Sequence, residues 1–276
     1  VFMTGIQALI RLPMLQRQHD LQAGLNTAGY VTGYRGSPLG TVDQTAAKAK
    51  KYLDAAHVKF HPGMNEDLAA TAVWGTQQVN LFPGAQYDGV FSLWYGKGPG
   101  VDRSGDALKH GNAYGSSPHG GVLAILGDDH GCVSSSMPHQ SEQALIAWGM
   151  PVVNPANILE YMEFGLYGWA LSRFSGAWVG FKAISETVEG GAVVELPPLP
   201  SYIVPTDYTP PADGLHNRWP DLPGLALEQR VDDKLKAVQA FAGVNSIDKL
   251  IVPAPGARIG IISAGKAYLD LLEALE

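Results

Sequence analysis

Short runs of apolar and β-branched residues alternate, between residues 29 and 196, with segments whose apolar positions recur every three or four residues. The runs have the length of buried strands, and the segments between them have the period of amphipathic helices. We expect strands at residues 30–34, 58–61, 89–95, 121–126, 151–153 and 177–184. Strands that alternate with helices in this way predict an α/β fold with a doubly wound, mostly parallel sheet.

The same periodicity predicts a leading helix over residues 4–22. Pro13 lies inside this helix and should kink it or divide it in two, because proline removes a backbone donor and crowds the preceding turn. Gly24 and Asn26 supply the stop signal.

Proline becomes frequent between residues 196 and 211, which predicts extended backbone and the end of a domain. Beyond it we expect a helix at 225–242, a buried strand at 258–264 and an amphipathic helix at 266–275. This order predicts a first domain at 1–200, a proline-rich linker with a helix at 201–256, and the first βα unit of a truncated second α/β domain at 257–276. The chain would then be a piece of a longer protein.

Composition narrows the classes of partner. The net charge is −7 and no run of basic residues is present, which argues against a nucleic-acid partner. No apolar run reaches the roughly 18 residues of a membrane span, and no signal peptide is recognisable, so we expect a cytoplasmic protein. Cys132 is the single cysteine, and an iron–sulfur cluster needs about four thiolates. Electron carriers must therefore lie outside this chain.

Five segments rich in glycine and polar residues follow the predicted strands. Ligands of doubly wound sheets bind beyond the carboxyl ends of the strands, so these segments are the candidates for a site. They are residues 33–40, 61–67, 95–106, 127–136 and 137–142.

Glu66 is the most informative residue of these segments. It follows Asn65 at the start of a helix whose next turns are apolar, which places a carboxyl at the edge of a core. Proximity to a helix N-terminus favours the carboxylate and burial favours the neutral acid, so a ligand could adjust its protonation. The alternative is an ordinary first-turn glutamate that stabilises the helix.

The remaining candidates each have a functional and a structural interpretation. Ser37 either caps a helix or contacts a ligand, and the serines at 134–136 either cap a helix or meet a substrate carboxylate. Lys97 and Arg103 are the best cations for a carboxylate, or they are solvated loop residues. Asp128, Asp129 and His130 suggest a metal site, but their adjacent spacing is weak support because neighbouring side chains point in different directions.

Together these loops resemble the pyrimidine-binding domain of the 2-oxoacid:ferredoxin oxidoreductases, most closely the long fused form of the indolepyruvate ferredoxin oxidoreductases. The residues that carry the resemblance are the opening 3–13, the loop 33–40, Asn65-Glu66, the loop 97–106, and residues 127–142. The Gly-Asp-Gly motif of a diphosphate-binding domain does not occur in the chain.

The resemblance implies roles for individual residues. Glu66 would be the catalytic residue, hydrogen-bonded to the N1′ atom of thiamine diphosphate so that the imino form of its 4′-amino group is favoured. The implied cofactor contacts also include Gly36, Ser37, Pro38, Asn65 and Lys97. The implied substrate contacts are Ser37, Arg103, Ser135 and His139, and no metal ligand is expected in this chain.

The resemblance also implies an activity and partners. The complete enzyme would oxidatively decarboxylate a 2-oxoacid, indolepyruvate or another arylpyruvate, to an acyl-coenzyme A with ferredoxin as electron acceptor. Mg²⁺ with a diphosphate-binding domain or subunit, and 4Fe-4S clusters, would lie elsewhere in a homodimeric enzyme. Two other readings stay open: an inactive structural or interaction domain of the same fold, and a metal-dependent hydrolase.

Overall fold

A six-stranded parallel sheet forms the centre of the protein in the computed structural model, which describes residues 1–196 and 198–276. In chain order the elements are β1 (Phe2–Thr4), α1 (Gly5–Gln22), β2 (Ala28–Gly33), α2 (Val42–Lys48), α3 (Lys50–Ala55), β3 (Val58–Phe60), α4 (Glu66–Thr76), β4 (Val90–Lys97), α5 (Gly98–Arg103), α6 (Gly105–Tyr114), β5 (Val122–Asp128), α7 (Glu142–Ala147), β6 (Val152–Val153), α8 (Ile158–Ser175), β7 (Val179–Ile184), α9 (Ser185–Val188), β8 (Gly191–Val193), α10 (Leu225–Val244) and α11 (Lys266–Leu275). A short 3₁₀ helix covers Val79–Leu81.

The strand order is β3-β2-β4-β5-β7-β6, with every neighbouring pair parallel. Helices cover both faces, as the alternation along the fully buried strand β5 shows. Its residues Leu123 and Ile125 pack into one apolar cluster, whereas Val122, Ala124 and Leu126 pack into a second. Side chains of a strand alternate between the faces of a sheet, so these clusters are the two sides of a doubly wound fold. The predicted fold class and all six predicted strands are confirmed.

Helix α1 begins with a capping box, in which Thr4 and Gln7 satisfy each other's backbone N–H groups. It ends at Gln22, and Gly24 follows with a positive φ of 77°, as predicted. The helix runs continuously through Pro13, so the expected division in two does not occur. Burial of Leu9 and Leu12 around the proline, together with extensive packing of α1 on α8, holds both halves in one helix.

The end of the chain differs from expectation. The strand predicted at residues 258–264 is wrong, because this segment forms no strand and is exposed, with Ile259 81% and Ile262 102% accessible. An isolated strand leaves its backbone donors and acceptors unpaired, and no described residue pairs with this segment. Helix α11 follows at the predicted position. The division into parts at 1–200, 201–256 and 257–276 stays a prediction.

Helix α10 packs against α8 and α6, and its Phe241 joins the apolar cluster that contains Leu123. The antiparallel pair β1 and β8 was not predicted. Within the described parts of the chain, no helix is long and apolar enough to cross a membrane.

Candidate functional site

The loops that follow β2, β3, β4 and β5 meet at the carboxyl edge of the sheet. The backbone N–H of Tyr34 bonds to Tyr95 O at 3.1 Å, and that of Gly63 bonds to Gly33 O at 2.8 Å. The loop after β2 also reaches the loop after β5, where Ser135 Oγ approaches Ser37 O at 3.5 Å. Segments separate in the sequence are therefore brought to one place, as a parallel sheet requires.

Glu66 is the first residue of α4 and lies at this edge. Asn65 caps the helix, since its side-chain oxygen accepts from Leu68 N at 2.8 Å. Trp94, fully buried in β4, donates from Nε1 to the backbone carbonyl of Glu66 at 3.0 Å. The residue is only 7% exposed, so its backbone is held by a cap on one side and by the core on the other.

The carboxyl group of Glu66 forms no hydrogen bond to any described residue, although both of its oxygens keep contact with solvent. It lies against Gly100 of α5. A Cβ atom at position 100 would lie 2.6 Å from Glu66 Cγ and 2.7 Å from its Oε1, so a side chain there would displace the carboxyl. A mostly buried carboxyl with spare hydrogen-bonding capacity can take a polar atom of a ligand.

The loop after β2 lies beside Lys97, the last residue of β4. Gly36 packs on the aliphatic part of the Lys97 side chain, where a Cβ would come within 2.7 Å of Cδ. Pro38 is buried under Gly127 of β5, and Ser37 is half-buried. The structure thus brings Gly36, Ser37, Pro38 and Lys97 together.

His139 joins two of the loops. Its Nε2 lies 2.9 Å from Asp102 Oδ2 on α5, and its Nδ1 lies 3.6 Å from Asp128 Oδ1 at the end of β5. Its ring packs directly on Gly98, where any Cβ would overlap it. Arg103 is exposed at the end of α5, and no hydrogen bond among the described residues joins it to the other candidates.

The carboxylates of Asp128 and Asp129 are both used by protein donors. Asp128 accepts from Ser141 N at 2.9 Å and from Ser141 Oγ at 2.6 Å. Burial opposes ionisation of Asp129, but backbone N–H groups of Ser134 and Val133, together with nearby serine hydroxyls, outweigh it and lower its pKa to about 2. The carboxylate of Asp129 accepts the backbone N–H of Val133, Ser134 and Ser135 at 2.8–2.9 Å.

In residues 1–196 and 198–276, no three His, Cys, Asp or Glu side chains are grouped as metal ligands. Asp128 and Asp129 bond to different donors, so the structure gives the metal-dependent hydrolase reading no geometric support.

Sequence reasoning missed an ion pair at the end of the loop that follows β5. Lys182, 5% exposed in β7, donates to Glu142 Oε1 at 2.7 Å at the start of α7. Burial alone would raise the pKa of Glu142. The hydrogen bond from Lys182 and the backbone N–H of Glu142 have a larger effect in the opposite direction, so the pKa lies below its ordinary value. A lysine inside an apolar strand run was the available signal.

The donor set fits one half of the implied cofactor. Glu66, whose carboxyl packs against Gly100 and has no hydrogen bond to a described residue, suits an aromatic nitrogen that shares a proton. The described residues form no cluster of oxygen ligands for a Mg²⁺-diphosphate group.

The chain is similar in sequence and in fold to 2-oxoacid oxidoreductases. No protein-family model matches it. It is 21% identical over 282 aligned positions to the indolepyruvate oxidoreductase subunit IorA of Methanothermobacter thermautotrophicus, a match that covers 100% of the chain and 40% of that relative. The chain therefore spans well under half the length of this relative.

The fold matches a 2-oxoglutarate:ferredoxin oxidoreductase from Magnetococcus marinus, solved with 2-oxoglutarate, coenzyme A and succinyl-CoA bound. The TM-score is 0.66 at 14% identity, over 99% of this chain and 50% of the other. At this identity the match shows a shared fold. With the sequence match, it confirms the resemblance predicted from the loops.

Proposed function

We propose that this chain, as a relative of the 2-oxoacid:ferredoxin oxidoreductases, supplies the pyrimidine side of a thiamine diphosphate site. One observation carries the proposal. Glu66 presents a largely buried carboxyl without a protein hydrogen-bond partner among the described residues, at the edge of the sheet where four loops meet. Such a carboxyl has spare hydrogen-bonding capacity that a polar atom of a ligand can use.

Glu66 would hydrogen-bond N1′ of the pyrimidine ring and hold the proton shared with that atom. Asn65 fixes the helix start that presents it, and Gly100 leaves the space that the carboxyl fills. When bound, thiamine diphosphate supplies the electron sink for decarboxylation of a 2-oxoacid. Gly36, Ser37, Pro38 and Lys97 would line the ring on the side of the β2 loop.

For the substrate, we propose contacts from Ser37, Ser135, His139 and Arg103. The first two approach each other, and His139 lies one loop away beside Gly98. Arg103 is the free cation of this group and would meet the carboxylate from the exposed side. The name of the sequence relative favours indolepyruvate or another arylpyruvate as substrate.

The rest of the reaction requires groups outside this chain. We propose a diphosphate-binding domain or subunit that holds Mg²⁺, 4Fe-4S clusters that carry electrons to ferredoxin, and coenzyme A as acceptor of the acyl group. The bound coenzyme A of the structural relative supports the last of these. A homodimeric, cytoplasmic enzyme stays a prediction.

Binding of thiamine diphosphate to the full-length protein, measured by titration calorimetry, tests the proposal. We expect saturable, Mg²⁺-dependent binding that Glu66→Gln weakens, with Asp67→Asn as the control from the same helical turn. Equal affinity of both variants and the wild type would contradict the role of Glu66.

A further inference from the structure

The first turn of α5, Gly98 to Gly100, lies between two side chains of the candidate site. The ring of His139 packs on Gly98 on one side, and the side chain of Glu66 packs on Gly100 on the other. Both contacts are at the distance where only glycine fits. The side chains of His139 and Glu66 therefore lie on opposite sides of this helical turn.

His139 is anchored through one ring nitrogen and through its backbone. Asp102 Oδ2 lies 2.9 Å from Nε2, and the backbone N–H of His139 donates to Asp129 O at 3.2 Å. Nδ1 lies 3.6 Å from Asp128 Oδ1, beyond hydrogen-bond distance. The side chain is 16% exposed, whereas Asp102 is 62% exposed. A pair of this exposure contributes at most a small free energy, so direct packing on Gly98 is the stronger restraint on the turn.

Asp128 is in turn fixed, because it is fully buried and accepts two hydrogen bonds from Ser141. His139 therefore lies beside a well-fixed residue at the end of β5, while the other side of the Gly98–Gly100 turn meets Glu66.

We infer that His139 is a positioning residue, which holds the Gly98–Gly100 turn against Glu66 and thereby fixes the direction of that carboxyl. This role deepens the proposed function and rests on it only for its effect on catalysis. The restraint on the turn exists in the protein without cofactor or substrate.

Amide hydrogen exchange of the ligand-free chain tests the restraint directly. In His139→Ala we expect exchange of the segment 99–106 at least tenfold faster than in the wild type, because the ring no longer blocks the turn. His139→Phe, which keeps a ring against Gly98 but loses the pair with Asp102, should change it less than threefold. His110→Ala removes another histidine–aspartate pair, with Asp106 at 3.2 Å, and is the matched control with less than twofold change.

Gly98→Ala provides a second, independent variant. The added Cβ displaces the ring, so exchange of 99–106 should again rise at least tenfold. In the His139→Ala background the same glycine change should add less than threefold, since the ring is already absent. Additive effects, or unchanged exchange in His139→Ala, would overturn the inference.

Turnover in the full-length enzyme separates this role from substrate contact. The positioning role predicts that His139→Ala lowers kcat by about tenfold, whatever loss of the proposed substrate contact adds to KM. A rise in KM alone would overturn the link to Glu66. If Glu66→Gln leaves turnover intact while exchange still responds to His139→Ala, the proposed function fails and the restraint on the turn stands.

Discussion

Replacing Glu66 by Gln changes one oxygen to an amide nitrogen within nearly the same volume. The wild-type carboxyl has no protein hydrogen bond to lose among the described residues, and Asn65 and Trp94 hold the backbone independently. The free energy of unfolding should therefore change by less than about 0.5 kcal/mol. Any larger effect on activity would come from the site and not from the fold.

The expected loss of activity is far greater. An amide can hydrogen-bond a ring nitrogen but cannot share its proton, and removal of a proton-transfer partner typically costs about 100-fold in turnover or more. This corresponds to about 2.7 kcal/mol in the barrier. The assay is coenzyme A-dependent reduction of ferredoxin by the full-length protein at saturating thiamine diphosphate, Mg²⁺ and 2-oxoacid.

Asp67→Asn is the matched control, because Asp67 lies in the same first turn of α4 but outside the contact with Gly100. Its turnover should stay within twofold of the wild type. A loss below threefold in Glu66→Gln, or an equal loss in Asp67→Asn, would refute the assignment.

Three further predictions concern stability and binding. Asp129→Asn should lower the free energy of unfolding by about 2 kcal/mol at neutral pH, because three backbone N–H groups lose a charged acceptor. Since the pKa of Asp129 is about 2, this contribution to stability should be lost as the pH falls from about 4 to 2. A difference between the variant and the wild type that persists at pH 2 in urea titrations would contradict the prediction. Lys234→Ala should destabilise the protein by about 3 kcal/mol, since Lys234 Nζ donates to Asn112 O at 2.5 Å and loss of this buried side chain leaves a cavity. Lys236→Ala, at an exposed position, is the control, and equal thermal shifts for the two variants would speak against this. The 276-residue chain alone should bind thiamine diphosphate weakly in calorimetry, because the proposed Mg²⁺ and diphosphate contacts come from another domain or subunit, and tight binding would be inconsistent with a half-site.

The parallel sheet was predictable because its signals are local. Each strand is an apolar run bounded by turn residues, and the observed β2, β4 and β5 lie within a few residues of their predicted positions. The β1–β8 pair was not predictable, since it joins three-residue strands from distant parts of the chain. Residues 258–264 show the opposite error, in which an apolar run has no described neighbour to pair with.

The candidate site shows the same difference between local and distant signals. The position of Glu66 at the start of a helix was predictable from a cap followed by an apolar helical segment, which is local information. The partners of the loops were not, because the Lys182–Glu142 bond spans 40 residues and the His139–Asp102 contact spans 37. These contacts depend on strand order, which places β5 between β4 and β7.

A structure of the full-length protein with thiamine diphosphate bound would test the proposed role of Glu66 directly. It should place a carboxyl oxygen of Glu66 about 2.6–3.2 Å from N1′ of the pyrimidine ring. A carboxyl that points to solvent, or that bonds only to the backbone of α4, would contradict the proposed role of Glu66.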